Sequence, residues 1–139
     1  MNSFIKKLIV GVLILSLLLP VSGCSLSTRK TEKIKDLEFT VVKESEIPEE
    51  LSAEIETKKG ECFKLTYSDG QYLYIANGYG AQQTNGYSIR MKEFYLTENA
   101  IYFKTELYGP QNGENVSNTE SYPYIVIKTE AIDLPIVFE

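Results

Sequence analysis

The sequence predicts a mainly β domain of the α+β kind: an antiparallel sheet of about seven strands, folded into a small sandwich or partly closed barrel, with one short helix. Three observations carry this. From Phe63 onward, apolar and polar residues alternate in short runs, the period-two pattern of strands. Gly and Asn recur between those runs, as chain reversals require. One stretch alone, Ile47 to Ile55, spaces its apolar residues four apart.

Leu37-Glu38-Phe39-Thr40-Val41-Val42-Lys43 alternates well enough for a first strand. The helix follows. Pro48 suits a first helical position, where its missing N–H costs nothing. Glu49 and Glu50 favour the positive end of the helix dipole, and Lys58 and Lys59 the negative end. Gly60 is the stop. Ile47, Leu51 and Ile55 make one narrow apolar stripe, so the helix covers a sheet with a single face. Phe63, Leu65 and Tyr67 then mark a strand, and Asp69-Gly70 a hairpin turn in which both residues tolerate positive φ. In the strand Gln71–Ala76, Leu73 and Ile75 point to the core, with Tyr72 and Tyr74 on the other face. Tyr87, Ile89 and Met91 open the next run. Glu98-Asn99 turns it into Ile101, Phe103, Thr105 and Leu107. Ile125 and Ile127 alternate with Tyr124 and Val126, and Leu134, Ile136 and Phe138 form the last strand.

The chain has 139 residues, enough for one ordinary domain. Histidine is absent, which removes Ser-His-Asp triads, Cys-His dyads and imidazole metal clusters. The net charge of −5 argues against a nucleic-acid partner, which needs a basic face. No Asp/Glu spacing matches a calcium loop. The expectation is a protein without catalysis, metal or cofactor.

The N-terminus reads as an address. Lys6 and Lys7 precede the apolar run Leu8–Leu19, and Val21-Ser22-Gly23-Cys24 follows. A basic start, a short apolar stretch and small residues make a secretory signal over residues 1–23. The apolar stretch is short for a bilayer span. Val21-Ser22-Gly23-Cys24 resembles the lipobox of bacterial lipoprotein precursors. That implies lipidation of Cys24, with acyl chains such as palmitate holding the protein to the cell membrane, facing outward. Residues 24–36 are then a polar tether, whose lysines and Arg29 favour anionic head groups, and residues 37–139 the domain. With Cys24 taken by lipid, Cys62 has no partner for an intrachain disulfide, so the domain rests on its core.

Two segments break the alternation. Asn77–Gly86 is rich in Gly and Asn, and Tyr108–Ser121 is long and polar. The first lacks the Lys-Ser/Thr of a phosphate-binding loop and precedes a strand. Both read as surface loops, the usual place for an interaction surface. Tyr79 stands between glycines that leave its ring open, and the loop ends at Tyr87, for which the alternative to partner contact is inward packing.

Thr84-Asn85-Gly86-Tyr87-Ser88-Ile89, preceded by Tyr72-Leu73-Tyr74-Ile75-Ala76, resembles the T-G-G-Y-x-I signature of the PrcB-type C-terminal domain. Its second mark is the late Ser121-Tyr122-Pro123-Tyr124-Ile125-Val126-Ile127-Lys128 strand, closing on Leu134–Phe138. Asn85 stands where that family usually has its first Gly, and Asn tolerates left-handed φ better than most residues. The resemblance covers roughly Ile47 to Glu139. It implies a domain similar to a subunit that associates with, and stabilises, a secreted protease complex, without catalysis of its own. Thr-Asn-Gly-Tyr also resembles the N-P-T-T-G-Y/F loop of chagasin-like cysteine-protease inhibitors, here without the proline. The partner is therefore expected to be an envelope or secreted protein such as a protease, met through Tyr79, Thr84, Asn85, Gly86 and Tyr87. The many tyrosines leave a cell-wall glycan-binding module as an alternative.

Cys62 lies on the face opposite Phe63, with no base in reach, and reads as an unreactive residue packed under the helix or a loop. Glu93, Glu98 and Glu106 read as a solvated face rather than a glycosidase pair. Replacing Cys24 with Ala should abolish lipidation and processing at that site. Uptake of radioactive fatty acid by cells making the variant checks this, and undiminished label contradicts the lipobox reading.

Overall fold

The run Leu73-Tyr74-Ile75-Ala76 is buried at all four positions. A strand with one wet face alternates; one buried throughout is covered on both faces. The computed structural model, which describes residues 31–139, shows both covers. The expected signal segment 1–23, Cys24 and the expected tether as far as Lys30 lie outside the described residues. In chain order the elements are β1 (Lys35–Asp36), β2 (Thr40–Val41), a 3-10 turn (Glu44–Glu46), α1 (Glu49–Lys58), β3 (Cys62–Ser68), β4 (Tyr72–Tyr79), β5 (Ser88–Leu96), β6 (Ile101–Tyr108), β7 (Tyr124–Glu130) and β8 (Ile136–Phe138). One four-stranded sheet has the order β2-β7-β4-β3, the other β1-β5-β6-β8. Pairing is antiparallel except for β6 with β8, which is parallel. The domain is thus mainly β with one helix. It is a sandwich of two sheets, not a closed barrel.

Between the sheets, Leu73, Ile75 and Ile127 meet Phe94, Ile101 and Phe103. On the other face of the β4 sheet, Phe63, Tyr74, Ala76 and Val126 meet Leu51 and Ile55 of α1. The layers are therefore helix, sheet, sheet. The stripe at Ile47, Leu51 and Ile55 faces the sheet, with Leu51 and Ile55 each 1% exposed. Pro48 precedes the first helical residue rather than occupying it, and its carbonyl accepts the Ser52 N–H at 2.9 Å. Tyr72 and Tyr74 do lie opposite Leu73 and Ile75, but that face is the helix-covered core.

Gly78 is fixed by close approach. It pairs with Phe63 across β3 and β4, and a β carbon there would sit 2.1 Å from the Phe63 ring. Its φ is not positive, so glycine is needed for space rather than for conformation.

Four expectations change. Leu37–Lys43 is not one strand. Its ends belong to different layers, Leu37 packing between the sheets and Val42 under the helix, so the chain crosses from β1 in one sheet to β2 in the other. That brings the strand count to eight. Lys35 and Asp36, read as tether, pair with Leu96 and Tyr95. At Asp69-Gly70 only Gly70 has positive φ. The Asp69 carboxylate instead accepts the N–H groups of Tyr72 at 2.7 Å and Gln71 at 2.9 Å, an Asx turn. Those donors hold its carboxyl below the usual aspartate range. The turn's contribution is therefore complete at neutral pH and is lost as acid titrates through that lowered value. Finally, Cys62 is exposed. Phe63, Leu65 and Tyr67 turn to the helix, which leaves Cys62 on the other side of an edge strand.

Ile127 has no exposed surface and packs between the sheets. Ile127→Ala should destabilise the domain by about 2–5 kcal/mol, read from urea unfolding. A loss below about 0.5 kcal/mol would contradict that burial.

Candidate protein-binding end formed by two paired loops

The strands deliver two loops to one end of the sandwich. β4 ends there at Tyr79 and β5 starts there at Ser88; β6 ends there at Tyr108 and β7 starts there at Tyr124. The intervening stretches, residues 80–87 and 109–123, are not two independent surfaces. Gln82 and Ser121 form an antiparallel bridge, with N–H to C=O distances of 2.8 and 3.0 Å. The Ser121 hydroxyl donates to the Thr84 carbonyl at 2.7 Å. The Asn85 side-chain oxygen accepts the Ser117 N–H at 2.9 Å, and the Asn85 N–H donates to the Ser117 carbonyl at 3.4 Å.

The expected site residues lie on the first side of this junction, Tyr79 at the end of β4 and the others in 80–87. Thr84 and Asn85 supply its hydrogen bonds. Gly86 has φ of +87°, and a β carbon there would lie 2.9 Å from Val116 and 3.2 Å from Pro110. Two separate reasons, conformation and space, thus require glycine. Asn85 has no positive φ. Its amide earns its place in the signature by holding Ser117, not by adopting a left-handed backbone. Tyr87 is half-buried, with its ring against Gly109.

Tyr79 departs from its reading. Asn77, Gly78 and Tyr79 are the last residues of β4, not loop. The Tyr79 hydroxyl shares a 2.7 Å hydrogen bond with Thr105 on the facing sheet, and the Asn77 amide donates to the same oxygen at 2.7 Å. Thr105 is buried. The Tyr79 ring is therefore a tie between the sheets rather than an open contact. The strand runs on because Gly78 admits Phe63 and because the Tyr79 N–H finds the Pro123 carbonyl at 3.0 Å.

The junction is also fixed to the helix. Ala81 N–H donates to the Gly60 carbonyl at 3.2 Å. Lys59 lies 5.5 Å from the Tyr122 ring centroid and 2.7 Å from the Glu56 carboxylate. Sequence reasoning did not single out Pro110, Val116 and Ser117, which meet Asn85 and Gly86 of the signature. Backbone bridges between aperiodic segments leave no side-chain pattern to read.

What this end offers is polar. Ala81, Gln82, Gln83, Asn118 and Glu120 line an open depression of about 390 Å³. Its amides and carboxylate can meet a polypeptide's donors and acceptors. Among the described residues, no group of His, Cys, Asp or Glu is placed to hold a metal ion. Glu93, Glu98 and Glu106 form no carboxylate pair in these contacts. Glu106 instead accepts the Tyr108 hydroxyl at 2.6 Å and Lys92 at 3.2 Å, and these two hold its carboxyl below the usual glutamate range.

Removing the Tyr79 hydroxyl tests the tie. Tyr79→Phe should cost about 0.5–1.5 kcal/mol in urea unfolding, while Cys62→Ser, at an exposed position, should change stability by less than about 0.5 kcal/mol.

Residues 73–130, from β4 through β7, match the family model described as PrcB C-terminal. The matched stretch contains both loops, so the chain carries a PrcB C-terminal-like domain. The match is narrower than the resemblance over Ile47–Glu139 and leaves α1, β3 and β8 outside. No curated protein and no solved structure matches the chain.

Proposed function

We propose that this protein is a lipid-anchored, outward-facing lipoprotein whose PrcB-like domain binds and stabilises a secreted or envelope protein such as a protease. The family match over 73–130 is the observation that carries the reading. The two loops 80–87 and 109–123 lie within it and are pinned to each other. A surface set in advance in this way spends little ordering entropy on binding.

Two further features support it. The segment around Cys24 has the composition of a lipidated signal. Thr31 hydrogen-bonds Asn99 in the β5–β6 turn, at the end of the sandwich opposite the paired loops. Among the described residues no helix is long and apolar enough to cross a membrane, so in this reading the membrane contact belongs to the lipid on Cys24.

The test is capture of partners by the full chain, tagged at its C-terminus, from the envelope fraction of the source cell. One secreted or envelope protein should be enriched. Its half-life should fall when the chain is deleted, and Asn85→Ala together with Ser121→Ala should lower its recovery. Recovery of no such protein, or a partner whose lifetime ignores the deletion, would overturn the stabilising role.

A further inference from the structure

We infer that the open edge of β7 at Tyr124 is a strand-docking site, which takes an extended segment of a partner protein bearing apolar side chains and a cation. The inference rests on the protein-binding reading above and adds to the paired loops a second contact, with a mode of its own.

The argument begins with the hydrogen-bond phase of β7. Gly78 and Tyr124 are paired, and the bond beside them runs from the Tyr79 N–H to the Pro123 carbonyl. In an antiparallel ladder that phase makes Gly78 and Tyr124 a non-hydrogen-bonded pair. The N–H and C=O of Tyr124 therefore point away from β4, toward the other edge. Two residues on, the same phase turns the Val126 carbonyl outward, where it accepts the Val42 N–H at 2.8 Å. At Val126 the outer edge is covered. At Tyr124 it is not, because β2 ends at Val41 and the chain swings away into the turn Glu44–Glu46. Among the described residues no backbone group meets the N–H or C=O of Tyr124.

The space beside that edge is shaped for a strand. A groove of about 330 Å³ lies there, lined by Val41, Ile47, Tyr122, Tyr124 and Ile125, with Glu44 among its walls. Val41 is 56% exposed and Tyr122 38%, so apolar surface stands uncovered on both sides of an unpaired strand edge. Strand edges are normally protected by charge, bulge or cover. This one has an apolar floor and a free donor and acceptor, the arrangement in which an added strand gains main-chain bonds and seats alternate side chains. The charge favours a cationic segment. Glu44 has no ion-pair partner among the described residues, whereas Lys59, the cation nearby, is already engaged by Glu56. The occupant continues the line of β2 past its end, for about four residues at ~3.4 Å each.

The probe is an acetylated and amidated hexapeptide, Lys-Val-Thr-Val-Thr-Lys, titrated into the 15N-labelled full chain in mild detergent. Two further peptides carry backbone N-methyl groups on alternate residues, one in each frame. Only one frame removes the donors that face β7. Shift changes should centre on Val41, Tyr124 and Ile125, and the Tyr124 amide should exchange more slowly. One methylated frame should bind about fivefold more weakly and the other nearly as well as the parent. Glu44→Gln should weaken the parent peptide about twofold. Absence of shift changes, changes centred on 80–87 and 109–121, or equal binding by both methylated frames would overturn the site. A partner captured from the envelope with no peptide docking at Tyr124 defeats this inference alone. Peptide docking with no captured partner defeats the functional reading alone.

Discussion

The fold depends on one constraint: β4 is buried on both faces. Leu73 and Ile75 need a sheet on one side, and Tyr74 and Ala76 need a cover on the other. The helix, with its stripe four residues apart, fits the second side because it has only one apolar face to give. β5 and β6 fit the first, with Phe94 and Phe103 packed edge to face at 6.1 Å. Their outer face can then be polar, which is where Lys104 and Glu106 lie exposed. Aromatic contacts extend the inner layer to both borders. Phe39 meets Phe94 at 5.7 Å, and Phe103 meets Phe138 at 5.5 Å.

Much of this was legible in the sequence, and the reasons differ by element. The helix could be read because its stripe, its acidic start and its lysine-bearing end all agreed. β6 could be read because it alternates cleanly, whereas β5 alternates only as far as Met91, where its register shifts, and β7 was legible as an apolar run buried on both faces at Val126 and Ile127. The N-terminal strand misled, since alternation from Leu37 to Lys43 is also what a segment shows when successive apolar residues enter different layers. Periodicity reports that a side chain is buried, not which core receives it. β4 was legible as a strand but not as the central one, because its tyrosines look like surface residues until a helix is placed over them.

The candidate site was legible in part. Asn85 and Gly86 were found through a short signature, but the reason for each came from its partners in the second loop. Gly86 answers to Val116 and Pro110, and Asn85 to Ser117. Tyr79 was misread because glycine on either side suggests freedom. Gly78 instead makes room for Phe63, so the strand continues through it and carries the tyrosine into the sheet interface. A glycine in a strand can signal a neighbour's bulk as readily as a turn.

The crossing of the N-terminal segment has a consequence for how the molecule is made. The Thr129 hydroxyl bonds the Glu38 carbonyl across 91 residues of chain, and β2 pairs with the penultimate strand. Such pairings carry a high contact order and are closed late. Emerging in order from a ribosome or a translocation channel, the chain can form the hairpins β3–β4 and β5–β6 as they appear. β1 can pair with β5 once residue 96 has emerged, but β2 cannot pair until β7, which ends at Glu130, is available. Completion of the β4 sheet is thereby deferred to the end of synthesis.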